Sequence, residues 1–136
     1  MKILLIDDEK AITEFFSTLA RGRGYSAIDT VGSAEEALTR VLRQTYELIT
    51  LDIQMPGVSG LEIIAMLRNM NPHAVIAIIS GYIPEEISSE VAGCVDVMIS
   101  KPVSVSTFNH LLDGASQICQ TLDQIRTLGR TPAVAR

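Results

Sequence analysis

No apolar run in the chain approaches the roughly 18 to 20 residues that a membrane-spanning helix needs. The amino terminus turns acidic at Asp7 and Asp8 before the core of a signal peptide can form. Both absences point to a cytoplasmic protein. Basic residues are fewer than acidic ones, 11 Lys plus Arg against 16 Asp plus Glu, and the formal charge of -5 has the wrong sign for gripping nucleic-acid phosphates. Cysteine is scarce as well. Cys94 and Cys119 form no C-x-x-C pair, and His73 and His110 stand far from both along the chain. This argues against a zinc site or a disulfide framework and for small cysteines of core type. Low-complexity stretches and internal repeats are missing, and the nine Gly and five Pro are spread out instead of marking a linker. A P-loop G-x-x-x-x-G-K-[ST] and the D-x-D-x-T pattern of one class of Mg²⁺-dependent phosphatases are also missing, which sets a turnover enzyme aside.

What is present fits one domain: 136 residues, 47% hydrophobic and 20% charged, a composition that packs a core. Short apolar runs alternate with segments of helical period. The runs Ile3 to Ile6, Leu48 to Leu51, Val75 to Ile79 and Val95 to Ile99 are nearly continuous, as expected of strands buried on both faces. A more polar stretch, Tyr25 to Val31, reads as a strand at a sheet edge. Between them, Ile12, Phe15, Phe16 and Leu19 make one apolar helical stripe, Ala34, Ala37, Leu38, Val41 and Leu42 a second, and Ile63, Ile64, Leu67 and Met70 a third. Ser33 and Glu36 form a capping box at the start of the second helix. The third helix ends near Asn71-Pro72, where proline disfavours helix in the residue before it. A short fourth helix is expected to start at Pro84, whose fixed φ suits a first helical position. Strands and helices in this alternation make a doubly wound α/β fold, a parallel sheet with helices on both faces.

The last helix is the long one. From about Ser104 to Leu128 the apolar positions Phe108, Leu111, Ala115, Ile118, Leu122 and Ile125 step by 3, 4, 3, 4 and 3, a seam of heptad type. About 25 residues extend roughly 37 Å, against about 17 to 20 Å for strands of ordinary length. The helix should therefore overshoot its sheet and leave the seam at Leu122 and Ile125 in want of a partner.

Four polar signals fall at the carboxyl ends of predicted strands: Asp7-Asp8, Asp52, Ser80 and Lys101. In an open parallel sheet this is the edge where ligands bind. Carboxylates gathered at one mouth repel, each pair by about 3 kcal/mol at roughly 5 Å and an effective dielectric of 20. A hard divalent cation such as Mg²⁺, which takes oxygen ligands and keeps several waters, would remove that cost. It would also neutralise an incoming phosphoryl group and leave one carboxylate free to act as nucleophile and form an acyl phosphate. Lys101 would then hold a phosphoryl oxygen, and the Ser80 hydroxyl would donate to another.

Together, Ile6-Asp7-Asp8-Glu9, Leu51-Asp52-Ile53-Gln54-Met55-Pro56-Gly57 with Gly60, Ser80-Gly81 and Lys101-Pro102 resemble the receiver (CheY-like) domain of bacterial two-component response regulators. The resemblance covers residues 1–122 and leaves 123–136 as a helix extension and linker-like tail. It implies a flavodoxin-like sheet of five strands in the order 2-1-3-4-5. Asp52 would be the phospho-acceptor, with a sensor histidine kinase or phosphotransfer protein as donor. Asp8 would bind Mg²⁺ directly, Asp7 mainly through water, Asp52 through its carboxylate and Gln54 through its backbone carbonyl. Such a domain is a phosphoprotein switch and not an enzyme, beyond autocatalytic phosphotransfer and autodephosphorylation. Family members usually have a cis bond at the position matching Lys101-Pro102.

Three positions depart from the commonest pattern or tune it. Met98 stands where the family has an aromatic switch residue; it can fill space vacated by Ser80 but has no hydroxyl to report the change. Ser80 replaces a commoner Thr and keeps the hydrogen bond. Gln54 and Tyr82 flank the path of the hydrolytic water in the family. His73 and His110 read as ordinary surface or interface residues. Two outputs fit the sequence: a phosphorylation-switched contact, or a constitutive binding and dimerisation module of the same fold. Either would use the last helix or the face beside the fourth and fifth strands.

Overall fold

The computed structural model describes residues 1–133. The elements follow in the order β1 (Ile3–Ile6), α1 (Lys10–Gly22), β2 (Ile28–Val31), α2 (Ala34–Arg43), β3 (Leu48–Leu51), α3 (Gly60–Met70), β4 (Val75–Ser80), α4 (Ser89–Ala92), β5 (Val97–Ser100) and α5 (Val105–Arg126). The five strands form one parallel sheet in the order β2-β1-β3-β4-β5, the doubly wound arrangement expected from the alternation of runs and stripes.

Successive side chains on a strand point to opposite faces, so each apolar run feeds two cores. Leu4, Ile6, Ile49, Leu51, Ile76 and Ile78 pack with α2 and α3 on one face. Ile3, Leu5, Leu48, Ala77 and Ile79 pack with α1 and α5 on the other. There Phe16 stacks on Phe108 with ring centroids 4.3 Å apart. Such a pair adds about 0.5 to 1.5 kcal/mol beyond the area it buries.

The helix starts are set locally. Ser33 accepts the Glu36 N–H at 3.1 Å, and Glu36 reaches back to the Gly32 N–H at 3.1 Å, one residue ahead of the partner that a capping box predicts. Ser104 accepts the Thr107 N–H at 3.0 Å and opens α5. At the start of α3, Gly60 lies so close to the third strand's end that a Cβ there would sit 2.7 Å from the Asp52 carbonyl oxygen. Gly57, in the same connection, holds φ +82°, a conformation that glycine adopts without strain.

Four expectations need correction. The fourth helix starts at Ser89, not Pro84, and has four residues. With Pro84 in the first turn the cap would be Ile83, which has no acceptor, whereas the Ser88 hydroxyl accepts the Val91 N–H at 3.2 Å. The fifth strand begins at Val97 and is not buried on both faces; Val97 and Met98 are each 39% exposed. It lies at the sheet edge beside the shortest helix, so both of its faces stay partly open to solvent. Of the two free, half-buried cysteines, Cys94 packs against the core as expected, but Cys119 does not, and its thiol donates to Glu47 Oε2 at 2.6 Å. The buried part of the last helix is Phe108, Leu112 and Ala115, with Leu112 taking the inward place given to Leu111 in the heptad reading.

That helix does overshoot. Its 22 residues extend about 33 Å, and beyond Ala115 the seam residues Ile118 and Ile125 are 47% and 57% exposed. The boundary between residues 122 and 123 falls inside the helix, and residues 134–136 of the tail lie outside the described residues. Among the described residues no helix is long and apolar enough to cross a membrane.

The close approach at Gly60 gives the first prediction. Gly60→Ala should destabilise the fold by about 1 to 3 kcal/mol, the usual cost of overpacking against rigid backbone. Urea denaturation checks this, and a change below about 0.5 kcal/mol would contradict the contact.

Candidate functional site

Each polar side chain of the site stands at or just past the carboxyl end of a strand, where the backbone leaves the sheet and the apolar alternation stops. β1 delivers Asp7 and Asp8, β3 delivers Asp52, β4 ends on Ser80, and Lys101 follows β5. The parallel register levels these ends: Ile6 pairs with Leu51, Leu51 with Ile78, and Ser80 with Ser100. All five predicted side chains therefore meet at one mouth.

Asp52 is 3% exposed and fully engaged. Its Oδ1 accepts the Ser80 hydroxyl at 2.8 Å and the Gln54 N–H at 2.9 Å, and its Oδ2 accepts Lys101 Nζ at 3.1 Å. Asp7, 5% exposed, accepts Lys101 Nζ on Oδ2 at 2.7 Å and the Glu9 N–H on Oδ1 at 2.9 Å. Lys101 thus bridges two nearly dry carboxylates, with Glu9 Oε1 further off at 3.9 Å. Asp8 is exposed at the rim. Ser80 is fully buried, and its hydroxyl oxygen also receives the Tyr82 N–H at 3.4 Å. The Lys101-Pro102 bond is cis.

Burial is the largest influence on Asp7 and raises its pKa above the ordinary carboxylate value. The Lys101 ammonium and the Glu9 N–H pull the other way, and the Asp52 charge adds to the rise. Burial alone would lower the Lys101 pKa, but hydrogen bonds and charge from Asp7 and Asp52 outweigh it and hold the ammonium above its usual value. One cation is therefore shared between two carboxylates, and a third carboxylate stands beside them. Asp7, Asp8 and Asp52 each offer an oxygen within 4.8 Å of the others. An all-oxygen donor set with one exposed member suits a hard divalent cation that keeps part of its water shell.

The remaining residues fall where their chemistry suggests. Gln54 is exposed, and its side-chain oxygen lies beside Gly81, where a Cβ would be 3.5 Å away. Tyr82 is exposed at the same mouth. Met98 sits in the middle of β5 opposite Ile78, partly open to solvent. His73 and His110 are both exposed and away from the carboxylates. The backbone N–H of Glu9, which orients Asp7, belongs to the site without being among the site residues expected from the motifs. The place of Glu9 two residues after Asp7 was the available signal, because a carboxylate commonly bonds the N–H two residues on.

Fold and mouth together define a receiver-type signalling module. The chain belongs to the response regulator receiver domain family, whose model matches residues 3–113. Among curated proteins it is 28% identical over 106 residues to the probable transcriptional regulatory protein TcrX of Mycobacterium tuberculosis, covering 76% of this chain and 44% of TcrX. The chain spans less than half the length of the curated relatives it matches first. Among solved structures, it is 29% identical to a Burkholderia pseudomallei response regulator described with a phosphorylated aspartic acid, calcium ion and citrate. That match has a TM-score of 0.70 and covers 98% of this chain and 76% of the other. Thermotoga maritima TrrA, described in complex with Mg²⁺-BeF, is 33% identical with a TM-score of 0.70, covering 87% and 99%.

The raised pKa of Asp7 carries a sign that can be tested. Protonation is easier in the folded chain, so the group's contribution to stability is complete below the ordinary Asp pKa and is lost as pH rises through the higher folded value. At pH 7 without divalent metal, Asp7→Asn should therefore raise stability. The gain should disappear below the ordinary Asp range. Thermal denaturation against pH is the check, and destabilisation at pH 7 would show that the Lys101 pairing outweighs burial.

Proposed function

We propose that Asp52 accepts a phosphoryl group from the phosphohistidine of a sensor histidine kinase or phosphotransfer protein, and that the acyl phosphate switches a protein contact. The carrying observation is the placement of Asp52: a buried carboxylate whose Oδ1 is fixed by Ser80 and Gln54 and whose Oδ2 meets only Lys101. A carboxylate oxygen of Asp52 attacks phosphorus and the P–N bond to the donor imidazole breaks. The bonding pair stays on that nitrogen. The phosphorylated aspartate in the Burkholderia pseudomallei relative supports this reading.

Asp7, Asp8 and Asp52 would hold Mg²⁺ through carboxylate oxygens, Asp7 mainly through water, and Gln54 would add its backbone carbonyl. The ion supplies charge neutralisation for the incoming phosphoryl oxygens. The donor set and the Mg²⁺-BeF complex of TrrA favour it. Lys101 Nζ, released from its bridge, pairs with a phosphoryl oxygen, and Ser80 turns its hydroxyl from Asp52 Oδ1 to another. Phosphorylation adds a charge of about -1.5 to -2 next to these two groups, enough to reorder the connections that carry them. The exposed Tyr82, Val97 and Met98 lie along the β4/β5 edge of the sheet, a surface suited to reading that change. The module turns over nothing but its own acyl phosphate. Its acidic charge, with no spanning helix among the described residues, suits work in the cytoplasm without nucleic-acid contact by this domain.

A second reading, self-association through α5, is favoured by the stripe of Ile118 and Ile125, which are open to solvent seven residues apart. This face continues beyond residue 122 into the extension.

Incubation with acetyl phosphate and Mg²⁺ should give an acid-labile phosphate on the wild type, lost in Asp52→Asn and on chelation of the metal. Labelling retained by Asp52→Asn would overturn the assignment. Self-association is read by light scattering with Mg²⁺ and beryllofluoride. A doubled mass that Ile125→Glu returns to that of a monomer is the expected result, and a monomer at every concentration would exclude this interface.

A further inference from the structure

At the amino edge of the sheet, opposite the acidic mouth, lies a cavity of about 320 Å³. Its walls come from the connection before β3, the connection between α3 and β4, and the overhanging part of α5. Positions 119, 122 and 126 share one face of that helix, spaced three and four apart, and all three line the cavity. The volume is at the low end of the range for small-ligand sites. Sequence reasoning could not find it, because its walls are distant along the chain and it depends on the helix overshooting the sheet.

Its polar groups determine which ligand chemistry it suits. Glu47 is its one carboxylate, and both oxygens are taken: Oε1 accepts the Lys2 N–H at 2.8 Å and Oε2 the Cys119 thiol at 2.6 Å. The Asn71 amide is spent too, its Oδ1 on the Tyr46 N–H at 2.7 Å and its Nδ2 on the Leu67 carbonyl at 2.9 Å. Arg126 makes one hydrogen bond, a long one of 3.4 Å from Nη1 to the solvent-exposed Asp123, and its charge also acts on Glu47 without a direct bond. Among the described residues, the His73 ring and the Thr45 hydroxyl make no hydrogen bond. The spare hydrogen-bonding capacity is therefore chiefly donor capacity, including a guanidinium that can take a carboxylate on two N–H groups. Leu122 and Pro72 supply apolar wall between these donors.

We propose that this cavity binds a small organic carboxylate, with its head on Arg126 and His73 and its apolar body against Leu122 and Pro72. Such a ligand ties the free half of α5 to the α3–β4 connection. The helix then answers to a metabolite-sized acid as well as to events at Asp52, and binding does not depend on phosphorylation.

The test is a titration of the ¹⁵N-labelled full chain with benzoate, followed by two-dimensional NMR without phosphoryl donor or metal. Benzyl alcohol serves as the uncharged control. Saturable shifts confined to residues 45–47, 71–73 and 119–126 are expected with benzoate. Binding should be at least about tenfold weaker with benzyl alcohol, and at least about fivefold weaker in Arg126→Gln and His73→Ala, because each loses a donor to the carboxylate. Both side chains are exposed, so the variants should keep the wild-type melting temperature. The proposal is overturned by an absence of saturable shifts, by shifts centred on Lys101, by equal binding of benzyl alcohol, or by unchanged affinity in Arg126→Gln.

Discussion

The structure depends on the Lys101 ammonium lying between two carboxylates that have little access to water. Asp7 and Asp52 are each within hydrogen-bond distance of Nζ, and neither could be held dry beside the other without it. Lys101 is separated from them by 94 and 49 residues, so the bridge forms only when β1, β3 and the end of β5 are in register. The sheet order meets this requirement by placing β1 and β3 side by side, with β4 carrying Ser80 next to β3. The backbone N–H groups of Glu9 and Gln54 complete the arrangement by fixing the remaining carboxylate oxygens.

Much of this was legible in the sequence because strand ends in a parallel sheet lie at one edge. A polar residue at the end of an apolar run therefore has a known address. Asp7, Asp52, Ser80 and Lys101 could be gathered from that rule alone, and their family resemblance supplied roles. Gly60 was legible as part of a motif, but its reason was not: the approach of α3 to the Asp52 carbonyl is a distance between two backbones, which periodicity does not encode.

The misreadings have local causes. Pro84 is compatible with a first helical turn, but compatibility does not start a helix; an acceptor for the orphan N–H groups does, and Ser88 has one where Ile83 has none. Apart from Asp96, Val95 to Ile99 is as apolar as a central strand, yet burial depends on which helix covers it, and α4 has only four residues to offer. The cysteines look like core residues by type, but Cys119 belongs to the half of α5 that has already left the sheet.

That division of α5 has a mechanical consequence. Phe108, Leu112 and Ala115 clamp the first half of the helix in the core, while the second half is held mainly at its side through Cys119 and Glu47. A rod gripped at one end is a lever. A tilt of about 5° at Ala115 carries Arg126, roughly 16 Å further along, through about 1.4 Å. The fold thus converts an angular adjustment too small to disturb the sheet into a displacement of atomic size at the tip of the helix.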